Sequence, residues 1–548
     1  MRRLVLTLLL VLVVALASCS GGGSGEGGSS GRVGASEQPF TSAEATLYDF
    51  TFDGRVTANA ADAADPQSLV IAQLMYAVGQ LNGDRSLGRY ERLELSAIAV
   101  RPKSSNTVEV TYHAKLPVAW GGTQPPGRYT FVLPARAAAA DQTAFEAKYG
   151  ATCADVAVGA PDPSNMFLVY RPHRAGCRLD SADVVSFDAT TAVSTENTTG
   201  KYPEYDRMWD DGELRVVVLV SRDIETAPKD EGIQTYDEIV QEMQAYLVAR
   251  QPDASMRTDS SFASGALDAT TPVKTAATLP DGRRVVVDVM LVPHFIADAG
   301  PAFDTWFQAV LPLADLMVYN GHAGLGSNIR ALSQKGTFVP GKYVVWAING
   351  CDTFAYLDRT LADRRAAMNA DDPNGTRYMD HVTNAMPGYF KNAPLFAMGF
   401  LDAAVSAADA NALPKSYREL LATLDPGQVT VVTGEEDNTF DPAKQRAWTQ
   451  GQVNDAGAPA GGAAGNASDP SPGANQGEPT QRVPPPPGPS VGTTSGCATG
   501  ASSRVDSGAV LAFVLALAGL RWLRAQGSRA KRSVVVSSVP FGRRYTVS

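Results

Sequence analysis

Two apolar runs near the middle of the chain each lead into a glycine-bounded turn. Residues 316–319 (Leu-Met-Val-Tyr) precede the turn that carries His322, and residues 343–348 (Tyr-Val-Val-Trp-Ala-Ile) precede the turn that carries Cys351. Short apolar runs bounded by glycines are typical of buried strands in a parallel sheet. Because the carboxyl ends of neighbouring parallel strands meet at one edge of the sheet, the pattern predicts an imidazole and a thiol at that edge.

Strand and helix patterns alternate across residues 210–442. Strand-like apolar runs occupy residues 214–220 and 284–292, and helical patterns occupy residues 235–249 and 302–313. The first helical pattern opens on Thr-Tyr-Asp-Glu, a capping-box sequence that marks helix starts. The alternation predicts an α/β domain in which helices flank a mostly parallel sheet with right-handed crossovers.

Residues 42–206 carry a different pattern. A helical stretch at residues 66–82 is surrounded by strand-like runs, at residues 92–100, 107–120, 127–134 and 166–170. This predicts an α+β, β-rich module ahead of the α/β domain. Cys153 and Cys177 both lie in this module, 24 residues apart, and we predict that they form a disulfide.

The N-terminus has the composition of an export signal. Arg2 and Arg3 precede an apolar stretch at residues 4–17, which ends just before Cys19. The segment resembles a bacterial lipoprotein signal, which implies a signal peptide at residues 1–18 and acylation of Cys19. Residues 19–41 would then form a flexible Gly/Ser tether. The alternative is an ordinary cleaved signal peptide followed by a chance cysteine.

The C-terminal part changes to a linker composition. Residues 443–494 are rich in Gly, Ala and Pro, which predicts a disordered linker. Residues 495–548 contain Cys497, a short apolar run and a basic cluster, and they resemble the MYXO-CTERM sorting signal of myxobacterial surface proteins. In that family the segment is processed and the protein reaches the cell surface. A plain C-terminal transmembrane anchor is the alternative; either interpretation predicts export to the outer membrane or cell surface.

Composition excludes some classes of partner. The net charge is −10, from 47 basic and 57 acidic residues, and no long Lys/Arg run compensates for it. This disfavours nucleic acid as a partner. His113 and His173 are isolated, whereas a metal site needs three or four ligands at short spacings, so we predict no metal.

A thiol and an imidazole at one edge suggest nucleophilic chemistry. A free cysteine titrates near ~8.5 and is mostly protonated at neutral pH, so it needs a base to become a nucleophile. A neighbouring imidazole can take the proton, and backbone N–H groups of a glycine-rich turn can bind an oxyanion. The hypothesis is cysteine-based hydrolysis of peptide bonds. The alternative is that Cys351 is a buried structural cysteine and His322 is a loop histidine that never meets it.

The order of these elements resembles that of a known clan. The chain has alternating strands and helices, then a strand that leads to a histidine turn and a strand that leads to a cysteine. This order is similar to that of the caspase-like cysteine peptidases, which include clostripain, gingipains, legumain and caspases. The resemblance implies that His322 is the general base and acid and that Cys351, 29 residues later, is the nucleophile. It also implies an oxyanion site formed by the N–H groups of Ala323 and Cys351, a protein or peptide substrate, and no cofactor.

Several acidic and polar residues are candidates for the substrate site. Asp352 directly follows Cys351 and would either bind substrate or cap the next helix. Glu435 and Glu436 follow a strand-like run and would stand at the carboxyl end of a strand, facing substrate, unless they form a solvated turn. Asn384 and Tyr389 are candidates for lining a cleft.

A second class of function stays open. The clan usually has glycine after its histidine and often alanine before its cysteine, whereas this chain has Ala323 and Gly350. These replacements favour a catalytically inactive caspase-like module that serves binding or adhesion in a surface lipoprotein.

Overall fold

The computed structural model describes most of the two predicted modules. The described residues are 39–157, 159–225, 229–250, 257–258, 271–409 and 411–444. All of them belong to one compact unit, which begins at Gln38. The predicted signal peptide and sorting segment, which contain or adjoin Cys19 and Cys497, lie outside the described residues. Of the predicted tether and linker, only the last three and the first two positions are described. These four segments stay predictions.

The first half of the chain is mostly β-structure. Its strands are β1 (Phe40–Ser42), β2 (Thr46–Asn59), β3 (Ser86–Gly88), β4 (Glu94–Pro102), β5 (Thr107–Trp120), β6 (Arg128–Pro134) and β7 (Val184–Val193). Its helices are α1 (Pro66–Leu74), α2 (Tyr76–Asn82), α3 (Ala139–Cys153), α4 (Met166–Val169) and α5 (Tyr205–Met208).

Six of these strands form an antiparallel sheet in the order β3-β5-β2-β7-β6, and β4 pairs with β5 on the same side as β3. The two longest strands, β2 and β5, pair along their whole length, from Thr46 opposite Trp120 to Asn59 opposite Thr107. The predicted disulfide between Cys153 and Cys177 is confirmed, and it ties the end of α3 to the loop after α4.

One predicted strand in this half is wrong. Residues 166–169 form the short helix α4 instead of a strand, and Tyr170 makes an isolated bridge to Ala154. All four side chains of α4 are buried, so the segment is apolar on every side and shows no helical periodicity. A short, fully buried apolar run cannot be assigned to helix or strand from its pattern.

The second half alternates strands and helices as predicted. Its strands are β8 (Glu213–Ser221), β9 (Arg257–Thr258), β10 (Val273–Thr278), β11 (Arg284–Val292), β12 (Leu316–Asn320), β13 (Val344–Asn349), β14 (Met379–Asn384) and β15 (Thr430–Thr433). Its helices are α6 (Glu231–Ala249), α7 (Gly300–Val310), α8 (Ser327–Lys335), α9 (Thr353–Tyr356), α10 (Thr360–Met368), α11 (Ala393–Ser406) and α12 (Tyr417–Leu421).

These strands and β1 form a nine-stranded sheet in the order β1-β15-β14-β13-β12-β8-β11-β10-β9. The five strands β14, β13, β12, β8 and β11 are parallel to one another. Each of the four outer strands is antiparallel to the strand on its inner side. The predicted mostly parallel sheet is therefore present. It places the carboxyl ends of five strands at one edge.

Both faces of this sheet are covered, which explains the continuous apolar runs in its central strands. In β8, Val216 and Val218 face a core that includes side chains of α6, α11 and α12. Val217 and Leu219 face the opposite core, which includes side chains of α7, α8 and α10. Burial on both faces removes the polar alternation that a half-exposed strand would show.

The two predicted modules share structure across their boundary. β1 pairs with β15, so the first described strand extends the sheet of the second half. Phe354 and Ala355, from the second half, lie in the core of the antiparallel module. Trp209 and α5, which precede the second half, lie in the core of the parallel sheet.

Candidate active site

His322 and Cys351 lie at the carboxyl edge of the parallel sheet. β12 and β13 are neighbours, with Asn320 opposite Asn349, so each of the two residues stands two positions beyond a strand end. Both side chains line the same pocket. The structure thus brings together the two residues that the sequence pattern places at one edge.

The pocket is small and mostly enclosed. About 260 Å³ of space lies between its walls, part of it open to solvent. It is lined by Gly321, His322, Asn349, Cys351, Gly388, Tyr389, Phe390 and Ala393. His322 is 2% exposed and Cys351 is 6% exposed, because the segment after β14 covers them with the aromatic rings of Tyr389 and Phe390.

The backbone of His322 is fixed on three sides. Its carbonyl oxygen accepts hydrogen bonds from the Tyr319 hydroxyl and from Asn328 Nδ2, each at 2.8 Å. Its N–H donates to Ser221 Oγ at 3.3 Å. The histidine turn is therefore held by β8, β12 and α8.

The imidazole of His322 has two ring neighbours and one acidic neighbour. Its ring stacks on His294, with centroids 4.0 Å apart, and Phe390 contacts it edge-on at 5.4 Å. Asp223 Oδ1 lies 3.3 Å from His322 Nε2, which is an ion-pair distance, although the pair lacks hydrogen-bond alignment. A proton on this ring would therefore sit beside a buried carboxyl group.

His294 is held as a neutral neighbour of His322. Its Nδ1 donates to the carbonyl oxygen of Asp223 at 2.7 Å. Burial, and then the proximity of His322, lowers the pKa of His294 to about 4. The ring stacked on His322 is therefore neutral near pH 7.

The sequence analysis missed Asp223 and His294. Asp223 follows the end of β8 and His294 follows the end of β11, as His322 follows the end of β12. The signal was available, because polar residues that follow predicted parallel strands are expected at the same edge.

Cys351 packs against the segment that covers the pocket. Its Sγ lies 3.4 Å from the carbonyl oxygen of Gly388. In this structure Cys351 is disulfide-bonded. Arguments about a thiol at this position therefore apply to the reduced protein.

The cysteine turn is pressed against the histidine turn. A Cβ atom built on Gly350 would lie 2.6 Å from the carbonyl oxygen of Gly321 and 3.4 Å from the Ala323 nitrogen. Only glycine fits at position 350 with this spacing. Ala323 and Cys351, whose N–H groups are the predicted oxyanion donors, therefore belong to two turns in close contact, although Ala323 does not line the pocket.

Buried amides connect the strand ends beneath the pocket. Asn349 Nδ2 donates to Asn320 Oδ1 at 2.9 Å, and Asn384 Nδ2 donates to Asn349 Oδ1 at 2.7 Å. Gln428 Nε2 also donates to Asn349 Oδ1, at 2.8 Å. These bonds join the ends of β12, β13 and β14. Asn384 thus supports the pocket floor, whereas Tyr389 lines the pocket itself.

Asp352 does not line the pocket. It is 1% exposed, and burial raises the pKa of its carboxyl group to about 7. It occupies the N-cap position of α9 but makes no side-chain capping hydrogen bond there. Asp352 therefore neither lines the pocket as a substrate-binding residue would nor caps the helix with its side chain.

The expected position of Glu435 and Glu436 needs correction. Both follow β15, but β15 is antiparallel to β14, with His381 opposite Thr433. The end of β15 therefore lies at the opposite edge of the sheet from the pocket. Glu435 is buried and accepts a hydrogen bond from Thr198 Oγ1 at 3.1 Å, and burial raises its pKa to about 7.

Within the described ranges, no group of His, Cys, Asp and Glu side chains is arranged to hold a metal ion. No helix in this part of the chain is long and apolar enough to span a membrane. Comparisons of the chain with protein-family models, with curated proteins and with solved structures gave no match.

Proposed function

We propose that this protein is a caspase-like cysteine peptidase that hydrolyses peptide bonds with His322 and Cys351. One observation carries the proposal: the two side chains follow neighbouring parallel strands and line the same pocket. The strand order, with five parallel strands covered on both faces, is compatible with the caspase-like fold. The pocket lies where open α/β sheets usually hold their chemistry.

In the proposed reaction, His322 removes the proton from the Cys351 thiol, and the sulfur attacks the peptide carbonyl carbon. The tetrahedral intermediate collapses to a thioester while the leaving amine takes the proton from His322. Water, deprotonated by the same imidazole, then cleaves the thioester and releases the acid and the free thiol. Backbone N–H groups of Ala323 and Cys351 would stabilise the oxyanion.

The surroundings of His322 support a role in proton transfer. Asp223 faces Nε2 at 3.3 Å, so a pairing there leaves Nδ1 as the nitrogen that exchanges a proton with the thiol. The carboxyl group of Asp223 would stabilise the imidazolium that forms during the reaction. The neutral His294 ring provides a stacking surface that adds no competing charge.

The test is a peptide-library digest by the full chain in the presence of a reducing agent. We expect cleavage by the wild type and a loss of about 10³-fold or more in Cys351→Ala and in His322→Ala. His113→Ala is the control, because His113 is an exposed residue of the antiparallel module, paired with Asp53. Identical peptide profiles for the wild type and Cys351→Ala would end the peptidase proposal.

A second candidate function is a non-catalytic binding module on the same fold. It is favoured by the low exposure of His322 and Cys351 and by the aromatic cover. Iodoacetamide labelling of the reduced protein at graded pH separates the two functions. A peptidase should show fast alkylation of Cys351 that slows in His322→Ala, whereas a binding module should show a slow thiol that is indifferent to this change.

We further propose that the protein is exported and lipid-anchored through Cys19 at the outer membrane or cell surface. The disulfide between Cys153 and Cys177 supports an oxidising compartment. Fractionation of cells that express the wild type or Cys19→Ser tests the anchor. We expect the wild type in the membrane fraction and the variant outside it; equal distribution would contradict lipid anchoring.

A further inference from the structure

Asn328 lies between two histidine turns at the carboxyl edge of the parallel sheet. It is the second residue of α8 and is 1% exposed. Its Nδ2 donates to the carbonyl oxygen of His322 at 2.8 Å and to that of His294 at 2.9 Å. One buried side chain thus ties the turn after β12 to the turn after β11.

The orientation of this amide is fixed by its other contacts. Asn328 Oδ1 accepts from the N–H of Ile296 at 3.0 Å, so the nitrogen must face the two carbonyl oxygens. The Tyr319 hydroxyl, which donates to the His322 carbonyl oxygen, lies 3.1 Å from the same Nδ2. Aspartate has no N–H to donate and glutamine is one methylene longer, so neither would make this set of contacts.

The two turns that Asn328 joins carry imidazoles in contact with each other. The ring of His294 stacks on that of His322, with centroids 4.0 Å apart and planes 27° from parallel. In a close-packed interior, two rings at this distance restrict each other's rotation. The edge that His322 turns toward Cys351 therefore depends on the spacing of the two turns.

The ring of His294 is itself held by the residues after β8. The carbonyl oxygen of Asp223 accepts from His294 Nδ1 at 2.7 Å, and Asp223 Oδ1 lies 3.3 Å from His322 Nε2. Glu225 Oε2 accepts from the N–H of His294 at 2.9 Å. The backbone and the ring of His294 are thus both fixed, and the stack has a defined position beside His322.

We propose that Asn328 is a positioning residue, which fixes the two histidine turns to each other and so sets the edge of His322 that faces Cys351. The inference rests on the proposed function, in which His322 takes the proton from the Cys351 thiol. Asn328 does not line the pocket. It acts through the backbone of His322 and through the stacked ring of His294.

The first test is Asn328→Ala in the reduced full chain, with Asn369→Ala as the matched control. Asn369 is also buried; its Oδ1 accepts from the N–H of Gly341 at 2.7 Å, and its Nδ2 donates to the carbonyl oxygen of Arg365 at 2.9 Å. Gly341 lies ahead of β13, at the opposite edge of the sheet from Cys351. Both variants should lose stability in urea unfolding, because each leaves buried backbone groups without their partners.

The readout is the rate at which iodoacetamide alkylates Cys351 at pH 7 and at pH 10, measured by mass spectrometry of the modified peptide. At pH 7 the sulfur needs the imidazole to lose its proton, so we expect alkylation to slow about tenfold in Asn328→Ala and to stay unchanged in Asn369→Ala. At pH 10 a thiol ionises without help, so both variants should react like the wild type. An unchanged rate at pH 7 in Asn328→Ala, or a change by the same factor at both pH values, overturns the proposal.

The second test removes a single hydroxyl group. Tyr319→Phe deletes one that donates to the His322 carbonyl oxygen at 2.8 Å, and Tyr205→Phe deletes one that donates to the carbonyl oxygen of Lys415 at the same distance. Both tyrosines are buried. We expect alkylation at pH 7 to slow about threefold in Tyr319→Phe alone. Equal rates in the two variants contradict the proposal, and this pair decides if Asn328→Ala does not fold.

Alkylation needs no substrate, so the positioning role and the peptidase activity can fail separately. Slower alkylation in Asn328→Ala together with no peptide cleavage by the wild type would end the peptidase proposal and leave the positioning role in place. Cleavage by the wild type together with unchanged alkylation in Asn328→Ala would end the positioning role alone.

Discussion

The contact between the two turns at the pocket can be tested with a single methyl group. In Gly350→Ala the new Cβ would lie 2.6 Å from the carbonyl oxygen of Gly321 and 3.2 Å from Thr353 Cγ2. Carbon and oxygen atoms do not approach closer than about 3 Å without repulsion, so the two turns must separate by roughly half an ångström. Overpacking of this kind costs about 1–3 kcal/mol of stability.

The same displacement moves Cys351 away from His322. If the pair acts in catalysis, a shift of about half an ångström should lower peptidase activity by about tenfold, beyond the loss of stability. Urea unfolding at constant pH gives the change in free energy of unfolding, and alkylation of reduced Cys351 gives its reactivity. Both measurements are made on the full chain.

Gly127→Ala is the matched control. A Cβ atom on Gly127 meets no other atom within 4 Å, and its backbone is not left-handed. The control should therefore be neutral or stabilised by up to about 1 kcal/mol, through the lower entropy of the unfolded chain. If Gly350→Ala behaves like Gly127→Ala in both assays, the turns are not in the contact described and the reasoning fails.

Three further changes test other parts of the fold. Burial raises the pKa of Glu435 to about 7, so the protein loses stability as pH rises from about 4 to 7 and this carboxyl group ionises. Glu435→Gln should therefore be more stable than the wild type by roughly 3 kcal/mol at pH 8, measured by urea unfolding. The difference should vanish at pH 4. Hydrogen bonds from Ser416 lower the pKa of Glu419, so the stabilisation of the fold by this carboxylate is lost as pH falls through its folded-state pKa. Glu419→Gln should therefore cost about 1 kcal/mol at pH 7 and nothing at low pH, and an opposite trend would contradict the cap. Replacing Cys153 and Cys177 together by Ser should cost about 3 kcal/mol in thermal unfolding; an unchanged melting temperature would show that the bridge adds no stability.

Local pattern predicted the strands that deliver the candidate site. The runs before His322 and Cys351 are apolar at every position because β12 and β13 are covered on both faces, and few other arrangements produce such runs. Once the two strands are parallel neighbours, the meeting of the two side chains follows from topology. The same rule would have found Asp223 and His294, had the residues after β8 and β11 been considered.

Pattern alone did not give the direction of β15. A strand of four buried residues has the same composition whether it runs parallel or antiparallel to its neighbour. The direction is decided by pairing with β14 and β1, which are distant in sequence. Glu435 and Glu436 were therefore expected at the edge of the pocket, whereas the reversed strand carries them to the opposite edge.

The predicted boundary between the two modules, at residues 206–210, does not separate their cores. Periodicity tells which face of a helix is buried, but it does not tell which element covers that face. The short helix α9 follows the cysteine turn in the chain, yet Phe354 is buried among side chains of the antiparallel module. A cut at the boundary would expose this ring. The antiparallel module therefore cannot be treated as an attachment to an independent α/β domain, because it completes the packing of the segment that follows Cys351.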